Sequence, residues 1–305
     1  MAIVGGMACF AGNDAVVKLI ARTAPLGEVL FVRGVMTCVL VGALMFILGH
    51  ASQLRSAVHP RVLGRSGLEA LAALLFTSAL VRMPIAELST IVLASPLIIT
   101  ALAVILYREE VGWRRWTAII VGFAGALCVV KPTPDAFNAW ALVGLGCAFA
   151  SAARDLMTRR LPEGVPFTVV SLAAAVAVTL VGLLLAPWET WRPFTVTELA
   201  ILALGAAFLS GGTMLIVLAF RDVDVSAVSP FRYTLLIWAG LAGYFLFGEV
   251  PDTWAAIGAA LIVGSGVYAL HREAARARAA RRNAAANAVT TPPSPASQPV
   301  RASSD

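Results

Sequence analysis

The sequence predicts an all-α integral membrane protein of ten transmembrane helices arranged as two inverted five-helix repeats, and three observations predict it. Of its 305 residues 59% are hydrophobic and 13% charged, with a mean hydropathy of +0.85, whereas soluble domains are about one quarter charged. The apolar residues come in runs close to the roughly twenty needed to cross about 30 Å of hydrocarbon as a helix. A helix also satisfies every backbone group within its own segment, as a lipid environment demands. Finally, the basic residues are shared very unequally between alternate loops, which tests the number of crossings.

Apolar runs between charges and Pro or Gly breaks place spans near 2–21, 28–49, 66–82, 85–107, 113–130, 138–155, 166–186, 198–220, 225–247 and 253–270. The first run follows Met-Ala-Ile-Val-Gly-Gly, has no basic segment before it and is interrupted by Asn13 and Asp14, so it reads as a span rather than a cleaved signal. Of the 23 Lys and Arg, Lys18, Arg33 and Arg232 lie within spans. Four more, Arg22, Arg82, Lys131 and Arg192, fall in loops on one side, and the other sixteen fall on the opposite side and in the tail. Basic residues accumulate on the cytoplasmic side. Ten spans with both termini in the cytoplasm follow, and one span more or fewer in the middle would scramble the bias.

The two halves echo each other. Tyr107-Arg108-Glu109-Glu110-Val111 closes the fourth span as Phe247-Gly248-Glu249-Val250-Pro251 closes the ninth, and Trp116 and Trp254 lead the spans that come next. A five-span unit has odd parity, so the second copy is upside down relative to the first. Inverted repeats of this kind build carriers that hold a solute near the midplane. The domain reading is a first repeat over 1–131, a second over 132–270 and a basic tail over 271–305. That tail runs through Ala and Arg to Thr-Pro-Pro-Ser-Pro-Ala-Ser, a composition read as disordered.

Other chemistries find little support. Cys9, Cys38, Cys128 and Cys147 all lie in apolar runs without a CxxC pair, so neither a disulfide framework nor a metal site is expected. His50, His59 and His271 sit at span edges or beyond, and there is no HExxH, GxSxG or GxxxxGK[ST]. No catalytic residue, metal or cofactor is therefore assigned, and any driving force is a gradient. The formal charge of +6 reflects membrane orientation, not nucleic-acid binding. The expected partners are a small-molecule solute and the lipid bilayer, with a homodimer left open.

Charges at bilayer depth are costly, about 2.5–3.5 kcal/mol on insertion scales, so each needs a partner or a purpose. Asp14 and Lys18 are one turn apart on one face of the first span and form either a self-neutralising ion pair or a substrate or proton site. Arg33 and Glu87 lie toward the outer ends of spans two and four and form a candidate outer gate, or else snorkel to water. Arg232 is the leading substrate-binding candidate, just after Pro230, with Ser229 and Tyr233 on the same face. Its alternative is a structural pairing with Asp14. Ser95-Pro96 marks a second broken helix at the inverted position, a candidate to line the same cavity. Gly122, Gly125, Ala260 and Gly264 read as sites of close helix approach, and Arg154-Asp155 as an inner-face ion pair.

Several stretches resemble the drug/metabolite transporter superfamily, in its ten-helix EamA-type branch: Asp14-Ala15-Val16-Val17-Lys18, Leu30-Phe31-Val32-Arg33, Met83-Pro84-Ile85-Ala86-Glu87, Ala94-Ser95-Pro96-Leu97, Glu110-Val111-Gly112-Trp113, Ser229-Pro230-Phe231-Arg232-Tyr233 and Phe247-Gly248-Glu249. The likeness covers residues 1–272. It implies two inverted five-helix repeats, a bacterial inner-membrane location and secondary transport of an amino-acid-like, nucleoside-like or drug-like metabolite by alternating access. Glu87 departs from the pattern, which more often has Asp. A passive channel and a membrane-embedded enzyme remain the alternatives.

Overall fold

The computed structural model describes residues 1–107, 113–130, 138–219 and 229–290, and every regular element among them is helical. The helices are α1 (Ala2–Ala21), α2 (Leu26–Ile47), α3 (Pro60–Leu80), α4 (Ile85–Val92), α5 (Ser95–Tyr107), α6 (Trp113–Val130), α7 (Ala139–Thr158), α8 (Phe167–Leu185), α9 (Val196–Ala219), α10 (Thr234–Phe247) and α11 (Thr253–Thr290). Short 3₁₀ turns occupy His50–Val58, Ala186–Trp188 and Ser229–Tyr233. Seven helical stretches are long and apolar enough to cross a membrane, the α4–α5 pair counting as one over Ile85–Leu102, and Trp116–Val130 and Phe231–Phe247 are shorter apolar helices. Large apolar side chains such as Phe46, Ile120, Leu184 and Phe245 point outward. That surface suits lipid, not water.

Proline sets most of the helix starts. Pro25, Pro84 and Pro166 are the residues before α2, α4 and α8, where a missing N–H costs nothing. Pro60 does the same inside α3, and the His59 ring accepts the Arg61 N–H. This cap carries α3 six residues further back than the apolar run suggests, through the charged turn of Arg61 and Arg65. The tail reading is corrected over part of its length: α11 continues to Thr290, because alanine and arginine are strong helix formers. Residues 291–305 lie outside the described set, as do Arg108, the Glu109-Glu110 pair, Lys131, Arg221 and the side chain of Ser229.

Chain reversal defines two ends of the bundle. The upper end gathers residues 22–25, 81–84, 186–195 and 248–252, and the lower end gathers Met1, 48–59 and 159–166. Between them α2 packs on α8, α1 on α9, α3 on α7, and α6 on α11. The core threads these contacts with Val29, Leu30, Ile85, Leu88, Leu202 and Ile262, all buried. Glycine brings two of the pairs into backbone contact. A β-carbon on Gly258 would stand 2.5 Å from the Gly125 carbonyl oxygen, and one on Gly182 would stand 2.6 Å from the Phe31 nitrogen. Gly264, by contrast, faces open space, so it is not a packing glycine.

Candidate functional site

A cavity of about 350 Å³ lies among α1, α2, α3, α7, α8 and α9. Its walls are largely apolar, with Phe10, Val41, Phe76, Phe167 and Val178 among them. Five charged side chains interrupt that lining: Asp14, Arg33, Arg65, Glu69 and Arg154. They form two groups.

The first group sits about 10 Å below the upper ends of α1 and α2, seven residues in at 1.5 Å per residue. Arg33 Nη1 donates to Asn13 Oδ1 at 3.0 Å, and Asn13 Nδ2 donates to Asp14 Oδ1 at 3.0 Å. Arg33 is only 7% exposed, and its Nε has no hydrogen-bond partner. Ser210, on α9 at the same cavity, has an unpartnered hydroxyl.

The second group lies toward the lower end. Arg154 donates to Glu69 at 3.1 Å and reaches Asp155 at 2.8 Å, and Arg65 completes the cluster with Glu69 at 2.8 Å. Arg65 Nε also donates to Thr158 Oγ1 at 3.4 Å. The expected Arg154–Asp155 pair is thus present, but as half of a cluster joining α3 to α7. These side chains keep 15–28% of their surface exposed.

Side-chain ties cross the upper end above the first group. Gly248 takes φ +66, and the Gly248 and Glu249 N–H groups bond back to the Tyr244 and Gly243 carbonyls, a glycine-capped helix end that turns Glu249 over the bundle. Glu249 pairs there with Lys18, which also donates to the Met83 carbonyl at 2.6 Å. Its other oxygen accepts the Ile85 N–H at 2.9 Å, at the start of α4. Lys18 is only 2% exposed, and the Phe247 ring lies 4.5 Å from the Arg22 guanidinium. Across the bundle, Glu189 accepts the Gly27 N–H at 2.9 and 3.0 Å, and Glu28 accepts the Arg192 N–H at 3.3 Å. The Glu198 carboxylate bonded to the Arg192 side chain raises that guanidinium above its ordinary pKa.

Several sequence expectations change on this geometry. Lys18 pairs with Glu249 and not with Asp14, because one turn of helix lifts it out of the cavity to the level of Met83. Arg33 meets Asn13 instead of Glu87; Glu87 is buried in α4 as an electrostatic neighbour of Lys18, so the two are not paired with each other. Arg232 is exposed and does not line the cavity. Tyr233 is buried away from it, its hydroxyl filling the space a side chain on Gly266 would need. The 3₁₀ turn over Ser229–Tyr233 breaks the α-helical register that would have placed these residues on one face. Span four is broken where expected, between Val92 and Ser95. Yet the Ser95 hydroxyl turns to the Val92 and Ala148 carbonyls, at 2.5 and 3.4 Å, and neither it nor Pro96 reaches the cavity. The residues missed were Asn13, Glu69, Ser210 and Glu249. Glu69 carried a readable signal, a carboxylate four residues after Arg65 within an apolar run.

Known proteins resemble this chain along most of its length. The S-adenosylmethionine uptake transporter of Rickettsia prowazekii is 28% identical over 65% of this chain and 67% of its own length. The riboflavin transporter of Vibrio cholerae is 31% identical over the same shares of the two chains. A pseudopaline exporter of Pseudomonas aeruginosa is 28% identical over 83% of this chain and 89% of its own. This chain thus spans about two thirds of the first two relatives. A crystal structure of a further protein, 21% identical, shares the fold with a TM-score of 0.55 over 90% of this chain and 96% of that one. The EamA-like transporter family matches twice, over residues 1–131 and 138–270. An all-helical bundle with an apolar exterior, matched by that family through both halves, belongs to the EamA-like transporters of the drug/metabolite transporter superfamily: a multi-pass membrane transporter and not an enzyme.

Proposed function

We propose that this protein is a secondary carrier that moves a small polar metabolite across the bacterial inner membrane by alternating access, with the cavity between α1, α2, α3, α7, α8 and α9 as its solute site. One observation carries the reading: a largely apolar cavity holds buried, incompletely paired charges at its upper end and reaches an ion-pair cluster at its lower end. Its size falls at the lower end of the range for small-molecule pockets, about 300–1,000 Å³. Buried charges of this kind are expensive in a bilayer unless they serve a solute pathway.

The topology behind the proposal is ten spans in two inverted repeats, with both termini cytoplasmic, so that the upper end faces outward. The helix pairings support it. Exchanging each helix of the first half for its counterpart in the second converts α1 on α9 into α7 on α3, and α2 on α9 into α8 on α3. The pairs α2 on α8 and α6 on α11 return to themselves. All of these pairs are in contact. On this reading Lys18 and Glu249 close the upper end, and the cavity extends from there toward the lower end past Leu44, Arg65 and Phe167. The named substrates of the relatives, S-adenosylmethionine, riboflavin and pseudopaline, make a multifunctional metabolite the solute class to test.

Saturable uptake into proteoliposomes tests the proposal. A carrier shows saturation and accelerated exchange when unlabelled solute is loaded on the far side. A channel shows neither, and flux that rises linearly with solute would overturn the reading.

A further inference from the structure

Within that carrier reading, on which this inference rests, we propose that Arg33, Asn13, Asp14 and Ser210 form a head-group subsite for a zwitterionic amino-carboxylate, which enters head first and leaves its apolar body against the phenylalanines below.

The argument starts from what the cluster lacks. Arg33 is a permanently charged guanidinium with 7% exposure, and its one side-chain hydrogen bond is to a neutral amide. It belongs to none of the ion pairs found among the described residues. Its Nε is buried without a partner while the side chain lines the cavity. A guanidinium presents its N–H groups in a fixed fork that matches a carboxylate, and an orphaned buried donor costs about as much as a lost hydrogen bond. The Ser210 hydroxyl, also unpartnered on the cavity wall, supplies a second donor. Of the three basic groups in the lining, Arg65 and Arg154 are already paired with carboxylates, so Arg33 is the guanidinium left for an incoming carboxylate.

The acidic neighbour decides against a plain anion. Asp14 is buried in the same wall, and Asn13 links it to Arg33 by donating to the carboxylate and accepting from the guanidinium. The amide therefore runs between a negative and a positive group, donor end toward Asp14 and acceptor end toward Arg33. An ammonium and a carboxylate borne by one carbon repeat that polarity. A lone carboxylate would satisfy Arg33 but meet repulsion at Asp14, and a lone amine would do the reverse.

Counterflow in proteoliposomes tests this, using labelled methionine, S-adenosylmethionine and riboflavin, with N-acetylmethionine, methionine methyl ester and 5′-deoxy-5′-methylthioadenosine as competitors. The subsite predicts exchange of the two amino-carboxylates and about 10- to 100-fold weaker competition from each compound lacking the ammonium, the carboxylate or both, the range for one charge-assisted hydrogen bond. Arg33→Gln should raise the half-saturating concentration by a similar factor, with Arg33→Lys retaining part of the affinity. Asp14→Asn should abolish the penalty on N-acetylmethionine. If Arg33→Gln does not fold, Ser210→Ala provides the readout, as a loss of about threefold or more in carboxylate-bearing probes only. Equal competition by the blocked compounds overturns the subsite. Counterflow of riboflavin without either amino-carboxylate overturns it while leaving the carrier standing. Absence of counterflow with every probe overturns both.

Discussion

Replacing Glu249 by Gln should open the upper end of the bundle. The change keeps an oxygen acceptor for the Ile85 N–H but removes the counter-charge of Lys18, which is 2% exposed. Breaking a buried pair by neutralising one partner costs about 3–5 kcal/mol. Glu249 keeps 15% of its surface and Lys18 retains the Met83 carbonyl, so the lower end applies, about 3 kcal/mol. Borne by the closed-above state and not by one in which Lys18 reaches water, that cost shifts the balance toward the upper-open state by about 100-fold. The assay is thiol accessibility at Thr77→Cys, a buried cavity position one turn below the upper end of α3, in a background lacking Cys9, Cys38, Cys128 and Cys147. An impermeant maleimide added from the upper side should label the Glu249→Gln form at least ten times faster than the parent. A folded variant with unchanged labelling would show that Lys18 and Glu249 do not close this end.

Four further outcomes are expected. Glu69→Ala removes the acceptor for both Arg65 and Arg154 and should lower stability by about 1.5–3 kcal/mol, read from thermal unfolding in detergent. Gly258→Val must push α11 off the α6 backbone, at a cost of about 1–3 kcal/mol or more, whereas Gly264→Val meets open space and should unfold within about 1 °C of the parent. Tyr233→Phe deletes a buried hydroxyl that has no partner, so stability should stay level or rise while uptake is unchanged. Arg232→Ala should leave the half-saturating concentration within about twofold, because that side chain is exposed and outside the cavity; a tenfold loss would return it to the solute site.

The sequence made the helices legible because each depends on local information. Runs of apolar residues, punctuated by Pro25, Pro84 and Pro166, announce where helices begin, and the Ser95-Pro96 break in span four was visible as such. Asp14 and Arg33 stood out because a charge in an apolar run needs a reason. Pairing was not legible, since partners lie far apart in the chain: Lys18 and Glu249 are 231 residues apart, and Arg154 and Glu69 are 85. The i,i+4 rule linked Asp14 to Lys18, but it describes an isolated helix, and the neighbouring Met83 carbonyl and Glu249 carboxylate outbid the local partner. Arg232 misled for a related reason. A face assigned from α-helical spacing lapses in a 3₁₀ turn, and Gly266 gave the adjoining Tyr233 a slot on another side.

The contact between Gly125 and Gly258 has a mechanical consequence. Side chains between helices behave as adjustable spacers, since a rotamer change lets two axes drift apart or slide. Here backbone meets backbone, with no spacer to compress or swing aside. Movement of α6 relative to α11 is therefore confined to rolling or tilting about a fixed point, like a lever on its fulcrum, and displacement grows with distance from it. A tilt too small to disturb the glycines is largest at the helix ends, where the ties between loops lie.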